Sequence, residues 1–265
     1  MRERVGGFFR NTVREPGRTC SVCAGVVDGF DRCYRCNLAH REWGSALADV
    51  VMPLAYAYRR SDQNRARAGR HQSEQHMWSY KEAQPGPGCV ADLTAMLLVA
   101  LQWHRPCVEV QVGLPWQCWA VVPSSRHLRS GPHPLVRLGD CAGLGGEAAD
   151  LLIGRVNLTL ASELSNDREI HADRFAVADP EAVEGRHVLL LEDTWVTGAS
   201  AQSAVLTLKE AGAAAATILP LARWIREDGK ANEQDFFSKL TTPYDASMCP
   251  ITGARCAGPF SPYQE

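Results

Sequence analysis

Two adjacent carboxylates at the end of an apolar run, followed by a loop of small residues, are the part of this sequence best suited to chemistry. In residues 188–200, VLLLEDTWVTGAS, Val188 to Leu191 lead directly into Glu192 and Asp193, and Thr197, Gly198, Ala199 and Ser200 follow. The order implies a buried strand that delivers the acids to its C-terminal edge, with a helix opening just beyond. The first turn of a helix carries unpaired N–H donors and the positive end of the helix dipole, so such a loop holds an anion such as phosphate. Acids beside that nest would repel a bare phosphate. A ribose removes the conflict, because its 2′ and 3′ hydroxyls donate to the carboxylates while its 5′-phosphate sits in the loop. The competing reading is a polar turn and a Ser or Thr helix cap, which does not call for paired acids.

Cysteine is the second chemical resource. Cys20-x2-Cys23 and Cys33-x2-Cys36 are separated by AGVVDGFDR, whose Gly25 and Asp28-Gly29 suit turns between very short strands. Two CxxC knuckles can close a tetrahedral zinc site, which predicts a small structural zinc ribbon over residues 18–39. A redox dithiol and unconnected thiols are the competing readings. His40 could replace one thiolate or flank the site. Cys89, Cys107, Cys118 and Cys141 stand among apolar neighbours and are expected to be buried and inert. Cys249 and Cys256 bracket PITGAR and could form half of another metal site, although no second pair stands near them in sequence.

The elements that must position these groups follow from periodicity. Residues 1–17 are expected to form a partly ordered arm. Trp43, Leu47, Val50, Val51 and Leu54 approximate a helical stripe broken by Pro53. The Arg-rich stretch from Arg59 to Gln72 suits a solvated helix face or loop, with nucleic-acid contact as the alternative. Pro85 to Gly88 breaks the chain before an apolar helix over 90–103. Strands are expected at 116–122, 188–191 and 216–221, with helices at 148–153 and 201–211. Alternation of this kind predicts a parallel α/β sheet with its ligand at the C-terminal strand edge. The glycines at 143, 145 and 146 have neither the spacing nor the preceding strand of a dinucleotide loop.

The 265 residues, 45% hydrophobic and 22% charged, are those of an ordinary globular protein of one large domain or a large and a small one. The charged N-terminus lacks a signal-peptide core and the apolar stretches are too short to span a bilayer, so a cytoplasmic protein is expected. The net charge of −2 conceals a basic front, with 14 Lys/Arg against 8 Asp/Glu in residues 1–81, and an acidic remainder. That front could meet an anionic partner.

The motif at 188–200 resembles the binding motif for 5-phosphoribosyl 1-pyrophosphate (PRPP) of type I phosphoribosyltransferases. With the four cysteines ahead of it, the order of parts resembles the ComF family over about residues 18–226. The resemblance implies a parallel-sheet type I phosphoribosyltransferase fold with a small N-terminal zinc ribbon. Its implied parts are an arm and ribbon (1–40), a transferase-like domain with a helical hood (41–226) and a tail of unknown role (227–265). Glu192 and Asp193 fall on the catalytic acidic pair, and Thr194, Thr197, Gly198, Ala199 and Ser200 on the PRPP loop. Ser125 and Arg126 fall on the loop that meets pyrophosphate, and Arg168 and Arg174 could add to it. Arg129 to His133 departs from the family's Arg-Gly-Phe-Asn, and Val196 occupies the place of a general-base aspartate in purine transferases. The resemblance implies structural Zn2+, Mg2+ with PRPP, and transfer of phosphoribose to a nitrogen nucleophile with loss of pyrophosphate. The alternative is a PRPP-binding accessory protein acting with single-stranded DNA or a protein partner.

Overall fold

Val188 to Leu191 are apolar without alternation because both faces of their strand are covered. Leu189 and Leu191 pack with Leu93, Leu97 and Leu135, whereas Val188 and Leu190 pack with Ala201, Ala204 and Val205. Successive strand side chains point to opposite faces, so a run of this kind marks a sheet sandwiched between helices.

The computed structural model describes residues 5–124, 133–144, 154–161, 168–229 and 232–256. In chain order these form strand β1 (Arg10–Asn11), helix α1 (Tyr34–Trp43), strands β2 (Val50–Val51) and β3 (Ala55–Arg59), and helices α2 (Asp62–Ala68), α3 (Gln72–Ser79), α4 (Pro87–Trp103) and α5 (Arg105–Val112). There follow β4 (Cys118–Val121), α6 (Pro134–Cys141), β5 (Gly154–Arg155), β6 (Leu158–Leu160), β7 (Phe175–Val177), β8 (His187–Trp195), α7 (Ala199–Glu210), β9 (Ala215–Arg226) and α8 (Glu233–Ser238). The main sheet has the order β1-β3-β9-β8-β4-β5, with β2 also paired to β9. Every pairing in it is parallel except that of β1 with β3. A separate antiparallel pair, β6 and β7, flanks it.

The fold is therefore α/β with a mostly parallel mixed sheet. Helix α4 begins with Pro87 in its first turn and buries Leu93, Met96, Leu97, Ala100 and Leu101, the three-and-four spacing of one helix face. Helix α7 covers the opposite layer with small residues, which allows close approach to the sheet.

Several elements differ from expectation. The stripe from Trp43 to Leu54 is split among the end of α1, strand β2 and the approach to β3. Two consecutive valines and Pro53 disfavour helix, and the main chain instead follows β9, with the Met52 and Leu54 amides donating to the Ile218 and Pro220 carbonyls at 2.8 and 3.0 Å. The N-terminal arm is not peripheral: Val5, Phe8 and Phe9 are core residues. The Arg-rich stretch contains α2, where Arg65 bonds the fully buried Glu74 at 2.9 Å. The tail also contributes, through Phe236 against Tyr56 and through buried Tyr244. The helix expected at 148–153 lies outside the described residues. No helix among the described residues is long and apolar enough to cross a membrane.

Candidate functional site

Strand β8 continues four residues past Leu191, and β4 stops at Val121 beside it. Pairing with β9 persists to Trp195 opposite Arg223, so Glu192, Asp193 and Thr194 project beyond one neighbour while still held by the other. This opens a crevice at the C-terminal edge of a parallel sheet, the usual location of ligand sites in such folds. A cavity of about 430 Å³ occupies it, lined by Glu192, Asp193 and the loop Thr194–Ser200 together with Lys81, Trp78 and His133.

The acids are not left to solvent. Lys81, just after α3, forms an ion pair with Asp193. The other Asp193 oxygen accepts from the Thr194 amide at 2.5 Å and the Thr194 hydroxyl at 3.1 Å. Glu192 Oε1 accepts from the Asp193 amide at 3.1 Å. Burial pushes the Glu192 carboxyl up to about 7, opposed by Lys81 and by hydrogen bonding from the Thr194 main chain. At neutral pH this group is poised between a donor and an acceptor.

The loop is shaped by Gly198 and Trp195. Gly198 has φ +82°, and a Cβ there would lie 2.2 Å from the ring of the buried Trp195. Both restrictions exclude any side chain. Helix α7 then begins without a side-chain cap from Gly198; the Thr197 hydroxyl accepts from the Ala199 amide at 3.4 Å, and residues 197–200 line the cavity. Arg174, buried in the approach to β7, donates to Ser200 Oγ at 3.4 Å. Gly198→Ala is expected to cost at least about 2 kcal/mol of stability, seen as a lower urea midpoint at unchanged slope, because the Trp195 ring or the loop must shift.

Thus Glu192, Asp193, Thr194, Thr197, Gly198, Ala199 and Ser200 meet at one cavity, and Arg168 lines it as well. Ser125, Arg126 and Arg129 lie outside the described residues. The sequence reading missed Arg59 and Arg226. They are paired neighbours at the ends of β3 and β9, side by side on parallel strands, and both line the cavity. Adjacent like charges repel, and here Asp228 holds Arg226 through two 3.0 Å bonds while Asp62 stands 4.0 Å from Arg59. An arginine closing each of two apolar strands was the available signal. A larger cavity of about 650 Å³ lies on the other side of the loop, between α1 and residues 168–173, and shares Arg168, Trp195, Thr197 and Ala199 with the first. The paired acids line only the smaller one.

The metal candidates are equally concrete. Among the described residues, Cys20, Cys23, Cys33 and Cys36 bring their sulfurs within 4.8 Å of one another, a group that could hold a metal ion. Cys20 and Cys23 sit on a turn closed by the Thr19–Val26 bridge. Cys33 is the N-cap of α1 and Cys36 lies in its first turn, so the second CxxC is a helix opening and not a second hairpin knuckle. Exposed His40 lies in the last turn of α1, outside the group. The crowded thiols perturb one another: hydrogen bonding with Cys23 drives Cys20 far down, while Cys33 and Cys36 are driven up, chiefly by Cys20. Buried Arg223 packs on this group, and its Nη1 donates to the Trp195 carbonyl at 3.2 Å, linking the cysteines to the loop.

The four cysteines expected to be buried and inert divide, while Cys249 and Cys256 fall in a group that could hold a metal ion, as their half-site reading allowed. Cys118 is buried in β4, and Cys89 is half-buried. Cys141 is exposed, and Cys107 joins His104, Cys249 and Cys256 in a second group that could hold a metal ion. Comparison with family models and with curated proteins returns no match. Fold and site together define a mostly parallel α/β protein whose acid pair and helix-opening loop face one cleft at the C-terminal strand edge.

Proposed function

We propose that the chain binds PRPP in the cleft above β8 and that its fold is a type I phosphoribosyltransferase fold carrying a structural zinc at Cys20, Cys23, Cys33 and Cys36. The observation that carries this reading is the convergence of Glu192, Asp193 and residues 197–200, at the opening of α7, on one 430 Å³ cavity. Ribose hydroxyls donate to the two carboxylates, and the 5′-phosphate lies against residues 197–200. Lys81, Arg59, Arg168 and Arg226 give the cleft the positive charge a pyrophosphate needs. On ligand entry Lys81 exchanges Asp193 for phosphoryl oxygen.

Mg2+ suits the same place, since carboxylate and phosphate oxygens are the hard donors it prefers. Bound with the ligand, it would neutralise pyrophosphate charge. The reaction proposed with it is transfer of phosphoribose to a nitrogen nucleophile, the acids orienting the ribose and the cations stabilising the departing pyrophosphate. Val196, 39% exposed at the cavity wall, has no group to accept a proton. It favours, as a second reading, a PRPP-binding protein without turnover. The basic stretch gives little support to a single-stranded DNA surface, because Arg65 is paired with Glu74 and Asp62 and Arg60 bonds the Ala68 and Gly69 carbonyls.

Calorimetric titration of PRPP with Mg2+ tests the proposal, with saturable binding expected and its absence counting against the site. The pH dependence is a sharper test. Glu192 has a raised carboxyl pKa, so the free protein loses stability as pH climbs from about 4.5 through 7 and this buried group ionises. Hydroxyl donation needs the ionised form, so affinity should rise between pH 6 and 8 by up to about tenfold from this group. The ligand's own phosphate titrates near 6. The comparison is therefore with Glu192→Gln, whose profile should lack the extra rise.

A further inference from the structure

We propose a second zinc site at His104, Cys107, Cys249 and Cys256 that clamps the C-terminal tail to the junction of α4 and α5. The four ligand atoms, three sulfurs and an imidazole nitrogen, lie within 4.8 Å of one another although the sequence separates them by up to 152 positions. His104 Nε2 donates to the Ala246 carbonyl at 2.9 Å, which leaves Nδ1 as the lone-pair nitrogen. That Nδ1 is buried and makes no hydrogen bond. A histidine held through one nitrogen by a carbonyl, with the other turned inward, is the arrangement found around metal-bound imidazoles.

The two cysteine-rich groups are built to one plan. At Cys20 the amide donates to the Gly25 carbonyl, and the Ala24 amide returns to the Cys20 carbonyl. At Cys249 the amide donates to the Ala254 carbonyl, and the Gly253 amide returns to the Cys249 carbonyl. Each turn is closed by one antiparallel bridge, Thr19–Val26 or Met248–Arg255, and each has a positive φ at the residue just before its last, Ala24 at 55° and Gly253 at 73°. The remaining ligands come from a helix opening in both cases: Cys33 is the N-cap of α1 with Cys36 three residues on, and His104 is the N-cap of α5 with Cys107 three residues on. One position differs. Thr252 stands where the first turn has Cys23, and Cys256 supplies the missing thiol from beyond the bridge.

Arg14 joins the two turns, donating to the Pro250 carbonyl at 2.8 Å and to the Ser21 and Val22 carbonyls at 2.9 and 3.0 Å. Three thiolates and one imidazole form a tetrahedral set around zinc with a net charge of about −1, and this guanidinium lies beside it. The rival occupant is a disulfide between Cys107 and Cys256, whose sulfurs stand 3.4 Å apart.

Elemental analysis of the full chain, purified under reducing conditions and freed of loose metal, is expected to give two zinc ions per chain, falling to one in Cys256→Ser and in His104→Ala. Limited proteolysis accompanies it: the tail beyond residue 240 should become cleavable in both variants while residues 18–39 stay protected, which separates loss of this site from general unfolding. A zinc content unchanged by both substitutions would overturn the proposal. So would an intact mass two hydrogens lighter with Cys107 and Cys256 cross-linked after anaerobic, reductant-free isolation.

Discussion

Alanine at both Glu192 and Asp193 is expected to weaken PRPP binding by at least about 100-fold, since hydrogen bonds to a charged group contribute roughly 1.5–3 kcal/mol each and the ribose would lose two such partners. The fold should survive. Glu192 is held at a raised pKa by its burial, so removing it relieves a cost, and Lys81, 23% exposed, can be solvated when Asp193 is gone. Calorimetry of PRPP with Mg2+ reads the first effect and thermal unfolding the second, with a shift of only a few degrees expected. Unaltered affinity in the double variant would remove the acids from the site.

The largest effect on stability should come from removing the zinc proposed for the four-cysteine group. Structural zinc sites of this type contribute apparent binding free energies of about 10–16 kcal/mol near neutral pH. The loss here would be compounded by Arg223, which is buried against the group, and by Arg14, which holds its turn. Without thiolate charge the buried Arg223 guanidinium keeps only Glu233 and the Trp195 and Trp224 carbonyls as partners. Cys20→Ser with Cys23→Ser, which spares the second proposed site, should lower the unfolding midpoint by more than about 10 °C. Because Arg223 bonds the Trp195 carbonyl, affinity for PRPP with Mg2+ should also fall in that double variant at temperatures where the sheet is still folded. Unchanged melting and binding in the double variant would show that these four cysteines hold no structural ion.

What could be read from the sequence follows a physical division. Strand β8 was legible because a run covered on both faces needs no alternation, and α4 because its burial repeats at helical spacing. The loop at 197–200 was legible because glycine and small residues at a helix opening carry a backbone requirement. Strand β2 was not, since Trp43, Leu47, Val50 and Leu54 mimic a helical stripe and the arbiter, pairing of Val50 with Thr217 in β9, lies 167 positions away. Arg59 and Arg226 reach the cleft only through sheet order, which residue spacing along one segment does not encode. The same holds for the His104 and Cys107 pair. Its spacing, HRPC, is unremarkable until the tail is brought beside it, whereas Cys20 to Cys36 announces itself within one short stretch.

Asn11 and Asp245 exchange two hydrogen bonds, the Asn11 amide group to the Asp245 carbonyl at 2.7 Å and the Asp245 N–H to Asn11 Oδ1 at 2.8 Å. Arg10 reaches the Leu240 carbonyl at 2.6 Å in the same place. During ribosomal synthesis the first of these segments must therefore wait while the chain grows by 234 positions before its partner emerges. Closing so long a loop is slow and leaves Phe8 and Phe9 uncovered meanwhile. Nascent chains should accordingly depend on a holdase until the tail is released, and C-terminal truncation should produce aggregation instead of a smaller working protein.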